Sequence, residues 1–283
     1  MKYKRLQHYP HVDGTHYGPA LLPYTQAIYE LLRRRLNKAF FQIGLSVEIT
    51  GDILRYIAQG KLQWRHVFPQ MSFVGVTTLG IALIVSTFAA MVIALQVATE
   101  MARQGASSYV GALVSLAMLR ELGPIMTAVA VVAMAGSAYT AELSTMQITK
   151  QIDALRVLHV DPIRYLIMPR VVAAVLAMPL LTIITCTSGI VGGMAISQWL
   201  ADIPWYTFLD SVWQQTEPKD IWTALFKSAI FGYTISILST TIGLSTQGGA
   251  KEVGTATTRA VVWCFVSVAL MDYFITFLVY GSE

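Results

Sequence analysis

Two ionisable side chains, Arg120 and Glu121, stand side by side within an apolar run that extends from Tyr109 to Ala135. At 1.5 Å of rise per residue, a helix of that length crosses a hydrocarbon core of about 30 Å. A charge at the centre of a bilayer costs on the order of 3 kcal/mol or more, so such residues normally face a bundle interior or a wet cavity and mark a functional path. Sequence neighbours point about 100° apart on a helix, so each of the two needs a partner on another element. Pro124 falls four residues after Arg120 and cannot donate to its carbonyl, which predicts a helix break at the same depth. Asp272, alone in a later apolar run, is a third embedded charge, and Arg120 or Arg259 could neutralise it. The chemistry these groups offer is ionic recognition inside a membrane; locking helices together through polar pairs is the plainer use of the same residues.

Other chemistries find little support. There is no G-x-x-x-x-G-K-[ST] loop, since the Lys227-Ser228 pair follows Leu-Phe rather than a glycine loop, so the chain is not expected to bind ATP in the usual way. H-E-x-x-H and G-x-S-x-G are missing too, which argues against a catalytic centre for hydrolysis. Cys186 and Cys264 lie singly in separate apolar runs, and His8, His11, His16 and His66 precede the first long apolar run, so no metal site is expected in the membrane part.

The elements that must position the charges follow from composition and periodicity. The 283 residues are 55% hydrophobic and 13% charged, against about 25% charged in soluble domains, which points to a polytopic, all-α membrane protein. Residues 1–20 read as a polar tail without the apolar core of a signal peptide. Residues 21–66 read as an amphipathic helical segment: Ile28, Leu32, Leu36, Phe40, Ile43 and Val47 form one stripe, with Arg33, Arg34, Arg35 and Lys38 on or beside the polar face. Such a helix suits the headgroup plane, and packing on a cytoplasmic partner would produce the same pattern. Five spans are predicted at about 71–98, 108–135, 167–200, 223–247 and 257–281.

Ten Lys and Arg residues lie between Lys2 and Arg65, and Lys150, Arg156 and Arg164 lie between the second and third spans. Between the third and fourth spans the balance is acidic, with Asp202, Asp210, Glu217 and Asp220 against Lys219. The positive-inside rule therefore predicts a cytoplasmic N terminus, a cytoplasmic 139–166 segment, an outer 201–222 loop and an outer C terminus. Trp199, Trp205, Trp213 and Trp222 gather at that outer loop as an interfacial belt would. Gly189 and Gly193 permit close helix approach, either within the chain or between two copies.

The segment between the second and third spans has a helical pattern of its own, with Ile148, Ile152, Leu155 and Leu158 at four- and three-residue steps. Asp161-Pro162 reads as an N-cap followed by proline at the first helical position, so a new helix is predicted there. A short amphipathic helix so placed is suited to docking a partner protein or to lying on the membrane surface.

LRELGPIMTAV, GSAYTAELSTM, QIDALRVLHVDPIRYLIMPRVVA, KEVGTATTRAVV and MDYFITFL, in that order, resemble the MlaE/YrbE permease family of MCE-associated ABC transporters. The resemblance implies a permease domain over 67–283, without catalytic residues, that works as a homodimer in the inner membrane of a diderm envelope. It implies an MlaF-like cytoplasmic ATPase that binds ATP and Mg, an MlaD-like MCE protein on the outer, periplasmic side, and in some systems a small accessory regulator. Phospholipid would be the cargo between inner and outer membranes, with no nucleic acid involved. By matching, Arg120 and Glu121 would line a lipid pocket, and Arg259 and Asp272 would join or support it. The stretch Glu142 to Leu155, including Met146, Lys150, Gln151 and Asp153, would couple to the ATPase. Met134 stands where many members have Arg, Ser144 where Gly is usual, and Lys150 where Glu usually precedes Gln-Ile-Asp. A lipid-modifying membrane enzyme and a non-transporting scaffold are the alternatives.

Overall fold

The computed structural model describes residues 24–281, with side chains described for Arg33 and from Gln42 onward. The polar-tail reading of 1–20, including its three histidines, and the side chains of Ile28, Leu32, Leu36 and Phe40 fall outside the described residues. The chain divides into two units, Met1–Phe41 and Gln42–Glu283. In the first, the described backbone is helical from Tyr24; all that follows concerns the second.

Eight helices are described, and no strand: α1 Tyr24–Ala58, α2 Trp64–Arg103, α3 Ser107–Ile148, α4 Gln151–Val157, α5 Ile163–Ala201, α6 Trp205–Gln215, α7 Pro218–Leu244 and α8 Ala250–Tyr280. Five of them, α2, α3, α5, α7 and α8, are long and apolar enough to cross a membrane, with 40, 42, 39, 27 and 31 residues. α2, α3 and α5 overrun their predicted spans at both ends and α7 and α8 at their starts, because backbone hydrogen bonding continues along a helix after its side chains turn polar, whereas α7 and α8 stop at Leu244 and Tyr280, just short of the predicted ends.

Small residues decide the closest packing. The buried face of α2 is Val74, Thr78, Ala82, Ser86, Ala90, Ala94 and Ala98, one residue in four, and it meets α5. A Cβ on Gly192 would come within 2.6 Å of Thr87, and one on Gly189 within 2.3 Å of Met118. The Gly189 to Gly193 motif is thus used inside the chain. Ser86 donates to the Thr185 carbonyl at 3.0 Å across the same seam. Beyond it, Val131, Val132, Tyr139, Met178, Phe231, Ile235 and Val268 join α3, α5, α7 and α8 in one core.

The 201–222 segment has structure of its own: α6 occupies Trp205–Gln215, and α7 starts at Pro218 behind a capping box in which Glu217 and Asp220 cap each other's backbone. Proline at the first helical position and an acid at the third are ordinary helix-start chemistry. One prediction about the connecting segments needs correction: the 148–158 pattern is not one continuous helix. α3 ends at Ile148, Lys150 adopts a left-handed backbone with φ of 62°, and α4 restarts at Gln151. Asp161 does cap the next helix, accepting from Ile163 N–H at 2.9 Å.

On α1 the described part has two apolar rows. Leu45, Ile49 and Ile53 are buried with Gln42, and Thr50 bonds the Tyr233 hydroxyl of α7. Ile43 and Val47, predicted as members of one stripe, are exposed with Leu54 and Ile57.

Candidate functional site

The site is built where α3 departs from regular helix. Residues Met118–Leu122 form a π turn, immediately followed by Gly123 and Pro124. π turns widen a helix by one residue and frequently occur at functional positions. Here the cause is local: Pro124 has no N–H for the Arg120 carbonyl, and a Cβ on Gly123 would stand 2.1 Å from Cys186 Sγ, so α5 can press against the bulge only because residue 123 is glycine.

The orphaned carbonyl is taken by a lysine. Lys227 of α7 is fully buried, and its ammonium donates to Arg120 O at 2.7 Å, Asp272 Oδ1 at 2.9 Å, Glu121 Oε2 at 3.1 Å and Thr276 Oγ1 at 2.6 Å. An ammonium has three protons, so these four acceptors share them. The Thr276 hydroxyl in turn donates to Glu121 Oε1 at 2.8 Å. Arg120 turns the other way, giving its Nε–H to Asp220 Oδ1 at 2.8 Å while its guanidinium stacks 4.3 Å from the Tyr280 ring centre. Tyr280 closes the loop by donating its hydroxyl to the same Asp220 oxygen at 2.9 Å. Two cations and three carboxylates from α3, α7 and α8 thus form one knot. A buried charge in apolar surroundings is tolerable only when paired and hydrogen-bonded, and each of these five is.

Three of the four residues singled out for substrate binding are therefore brought together: Arg120, Glu121 and Asp272. Arg259 is not with them. It stands thirteen residues before Asp272 on α8, about 20 Å along the helix, in a shallow depression of about 610 Å³ lined also by Lys251, Thr255, Thr258 and Trp263. The partner of Asp272 is neither Arg120 nor Arg259 but Lys227, which enters the sequence reading only as a lysine in the wrong context for a phosphate loop. A lone lysine in an apolar run of the predicted fourth span is itself the signal. Asp220 gave a weaker one, because an acid beside a predicted loop looks solvated.

Arg120 also lies nearer one end of the bundle than its place in the run Tyr109 to Ala135 suggests, because its partner Asp220 is in the first turn of α7. Its side chain is 34% exposed, and only Nε is hydrogen-bonded; both terminal guanidinium nitrogens are without a partner among the described residues. That leaves the bidentate edge of the guanidinium open to an anion.

Toward the other end of α3, a second π turn at Val132–Gly136 precedes the stretch matched to ATPase coupling. Glu142 pairs with Arg170 of α5 at 2.8 Å, and Arg170 also donates to Leu166 O and lies 5.4 Å from the Tyr139 ring centre. Met146 and Leu155 are half-buried, and Gln151 is exposed. Asp153 takes Arg156 at 3.0 Å and Lys150 at 3.7 Å. Val157 and Leu158, at the tip, are 77% and 70% exposed. Ser144, one of the departures from the motif, is buried and bonded to the Thr246 hydroxyl at 2.9 Å, while Met134 is exposed in the middle of the second π turn.

The model of the permease family MlaE matches residues 67–278, which holds all five charges of the knot and the coupling stretch. The chain belongs to the MlaE permease family. Among its relatives, a probable ABC transporter permease protein of Synechocystis is 41% identical, over 87% of this chain and 91% of its own length. The chloroplastic protein TRIGALACTOSYLDIACYLGLYCEROL 1 of Arabidopsis thaliana is 41% identical over 81% of this chain and 66% of its own. A probable ABC transporter permease protein of Rickettsia prowazekii is 37% identical over 88% and 96%. This MlaE member is accordingly an ABC transporter permease, a multi-pass membrane protein whose class works with an ATPase.

Proposed function

We propose that the chain is the membrane half of a phospholipid transporter, working as a homodimer. A separate MlaF-like ATPase would bind ATP and Mg on the cytoplasmic side, and an MlaD-like MCE protein would receive or deliver lipid on the outer side. The membrane would be the inner one of a diderm envelope, with the N terminus cytoplasmic and the C terminus periplasmic, as the distribution of Lys and Arg favours. The observation that carries this reading is the half-used guanidinium of Arg120, with its bidentate edge open and its Nε anchored by a buried carboxylate. A phosphodiester fits that edge with charge-assisted hydrogen bonds. The α3 helix and the short α4 after it join this edge to the exposed Val157 and Leu158, which suit a protein partner. Motion of the partner ATPase would reach the knot along Ile125 to Ala141. The test is reconstitution with an MlaF-like ATPase and an MlaD-like MCE protein from the same cell, followed by transfer of a labelled phospholipid. ATP-dependent transfer that stops in Arg120→Gln is expected; transfer by that variant at the wild-type rate overturns the reading.

A further inference from the structure

Every other ionised side chain within the five predicted spans is answered inside the protein: Arg120 by Asp220, Lys227 by Glu121 and Asp272, and Arg170 by Glu142. Arg259 is the exception. It stands about 14 Å past the start of α8, half-buried, with no ion pair or hydrogen bond among the described residues. An arginine just inside the entry end of a span, half-buried and with no partner of its own, is placed to meet an anion at headgroup level.

The depression around it shows what that is. Lys251, two turns nearer the helix start, is a second cation on the same side of α8 as Thr255 and Arg259. Gly254 lines the floor, where even a Cβ would meet nothing within 4 Å, so there is open room beside the two cations. In the opposite direction the polar character stops at once: Val262, Val266 and Leu270 follow at four-residue steps, each exposed, with Trp263 on the wall beside Arg259. Cations with hydroxyls at one end and a row of aliphatic side chains running away from them match a molecule with an anionic head and an apolar tail. A free inorganic anion has no use for the aliphatic row.

We propose that Arg259 and Lys251 form a second lipid-phosphate seat, separate from the Arg120 edge and about a leaflet's thickness from the Lys227 knot along α8. A glycerophospholipid of the cytoplasmic leaflet binds there through its phosphate, with its chains along Val262, Val266 and Leu270. The proposal rests on the lipid-transport reading and adds a loading position to it. α8 then carries one lipid station toward each face of the membrane.

The experiment uses the full complex in nanodiscs made of equal parts phosphatidylglycerol and a phosphate-free digalactosyl lipid, with a benzoylphenylalanine photocrosslinker replacing Val262. Mass spectrometry of the adducts should show phosphatidylglycerol favoured about fivefold or more, the bias expected of a charge-assisted contact, and falling to near parity in Arg259→Gln. Gly254→Leu, whose Cβ would meet no neighbour within 4 Å and whose longer side chain would occupy the depression, should lose the same bias while the protein purifies normally. Equal yields of the two lipids in the unmodified background mean bulk contact only and overturn the proposal. So does an adduct formed with a second copy of the chain or with another protein. The same crosslinker replacing Phe277, beside the knot, separates the two readings: phospholipid captured there with no bias at 262 leaves the transport reading standing and removes this seat, whereas no phospholipid bias at either position removes both.

Discussion

At Lys227 every charge is answered within a few ångströms by another side chain of the same protein, whereas at Val157 and Leu158 two large apolar side chains stand exposed with no neighbour over them. The two regions are joined by one helix, α3, and by the short α4 that follows it. Their difference follows from solvent. Within a bilayer an unpaired charge has no water to turn to, so polar groups there must close on each other. Between spans water is available, so an apolar pair kept at a chain tip calls for a partner surface. One end of α3 is thus a finished structure, and the other is half of one.

If that contrast is real, substitutions at the knot should act on stability first and those at the tip on coupling alone. The largest effect is expected for Lys227→Met, which leaves Glu121 and Asp272 facing each other without a cation and should cost about 3–5 kcal/mol. A fall in detergent melting temperature or loss of the folded protein would show it. The triple change Lys227→Met with Glu121→Gln and Asp272→Asn should recover most of that loss; a triple variant as unstable as the single one would mean that the lysine acts through packing instead.

Next in size is Arg170→Met. The arginine is 9% exposed at its side chain but Glu142 is 51% exposed, so the pair is partly screened and about 1–2 kcal/mol is expected, again by melting temperature. Because the pair ties the coupling stretch to α5, ATPase stimulation by the permease should fall as well. Stimulation unaffected by its loss would place the coupling path elsewhere.

Val157→Ser with Leu158→Ser should change stability by less than about 0.5 kcal/mol, as exposed positions do, yet reduce ATPase binding several-fold in a pull-down. Retained binding would break the comparison at its open end. The smallest effect is expected for Lys150→Glu. The residue is exposed and its 3.7 Å pair with Asp153 contributes little to folding, but the swap reverses a charge on the coupling stretch and should weaken association with, or stimulation of, the ATPase. Equal coupling by the two forms would count against a charged contact there.

The five spans were legible because apolar length alone specifies them, and the Asp161 cap because Asp-Pro is a local signal. Arg120, Glu121 and Asp272 were legible as costly charges. Their partners were not, since periodicity within one helix says nothing about which way a neighbouring helix is turned. Lys227 carried the same signal as a lone charge in an apolar run, but its pairing with Asp272 was hidden for that reason, and Arg259 looked like a candidate for Asp272 although about 20 Å of helix lies between them, by about 1.5 Å per residue. The break at Lys150 was also out of reach: a lysine in the left-handed region has no sequence signature comparable to glycine.

The central claim is that the open edge of Arg120, held by Asp220, binds the phosphate of the transported lipid. The most direct test is the phospholipid phosphorus retained per protomer after purification of Arg120→Gln combined with Asp220→Asn, a neutral pair that leaves no buried charge alone and keeps an acceptor for the Glu217 N–H. The expected result is a protein that melts near the wild type and retains markedly less phospholipid. A well-folded double variant that holds as much lipid as the wild type would contradict the account.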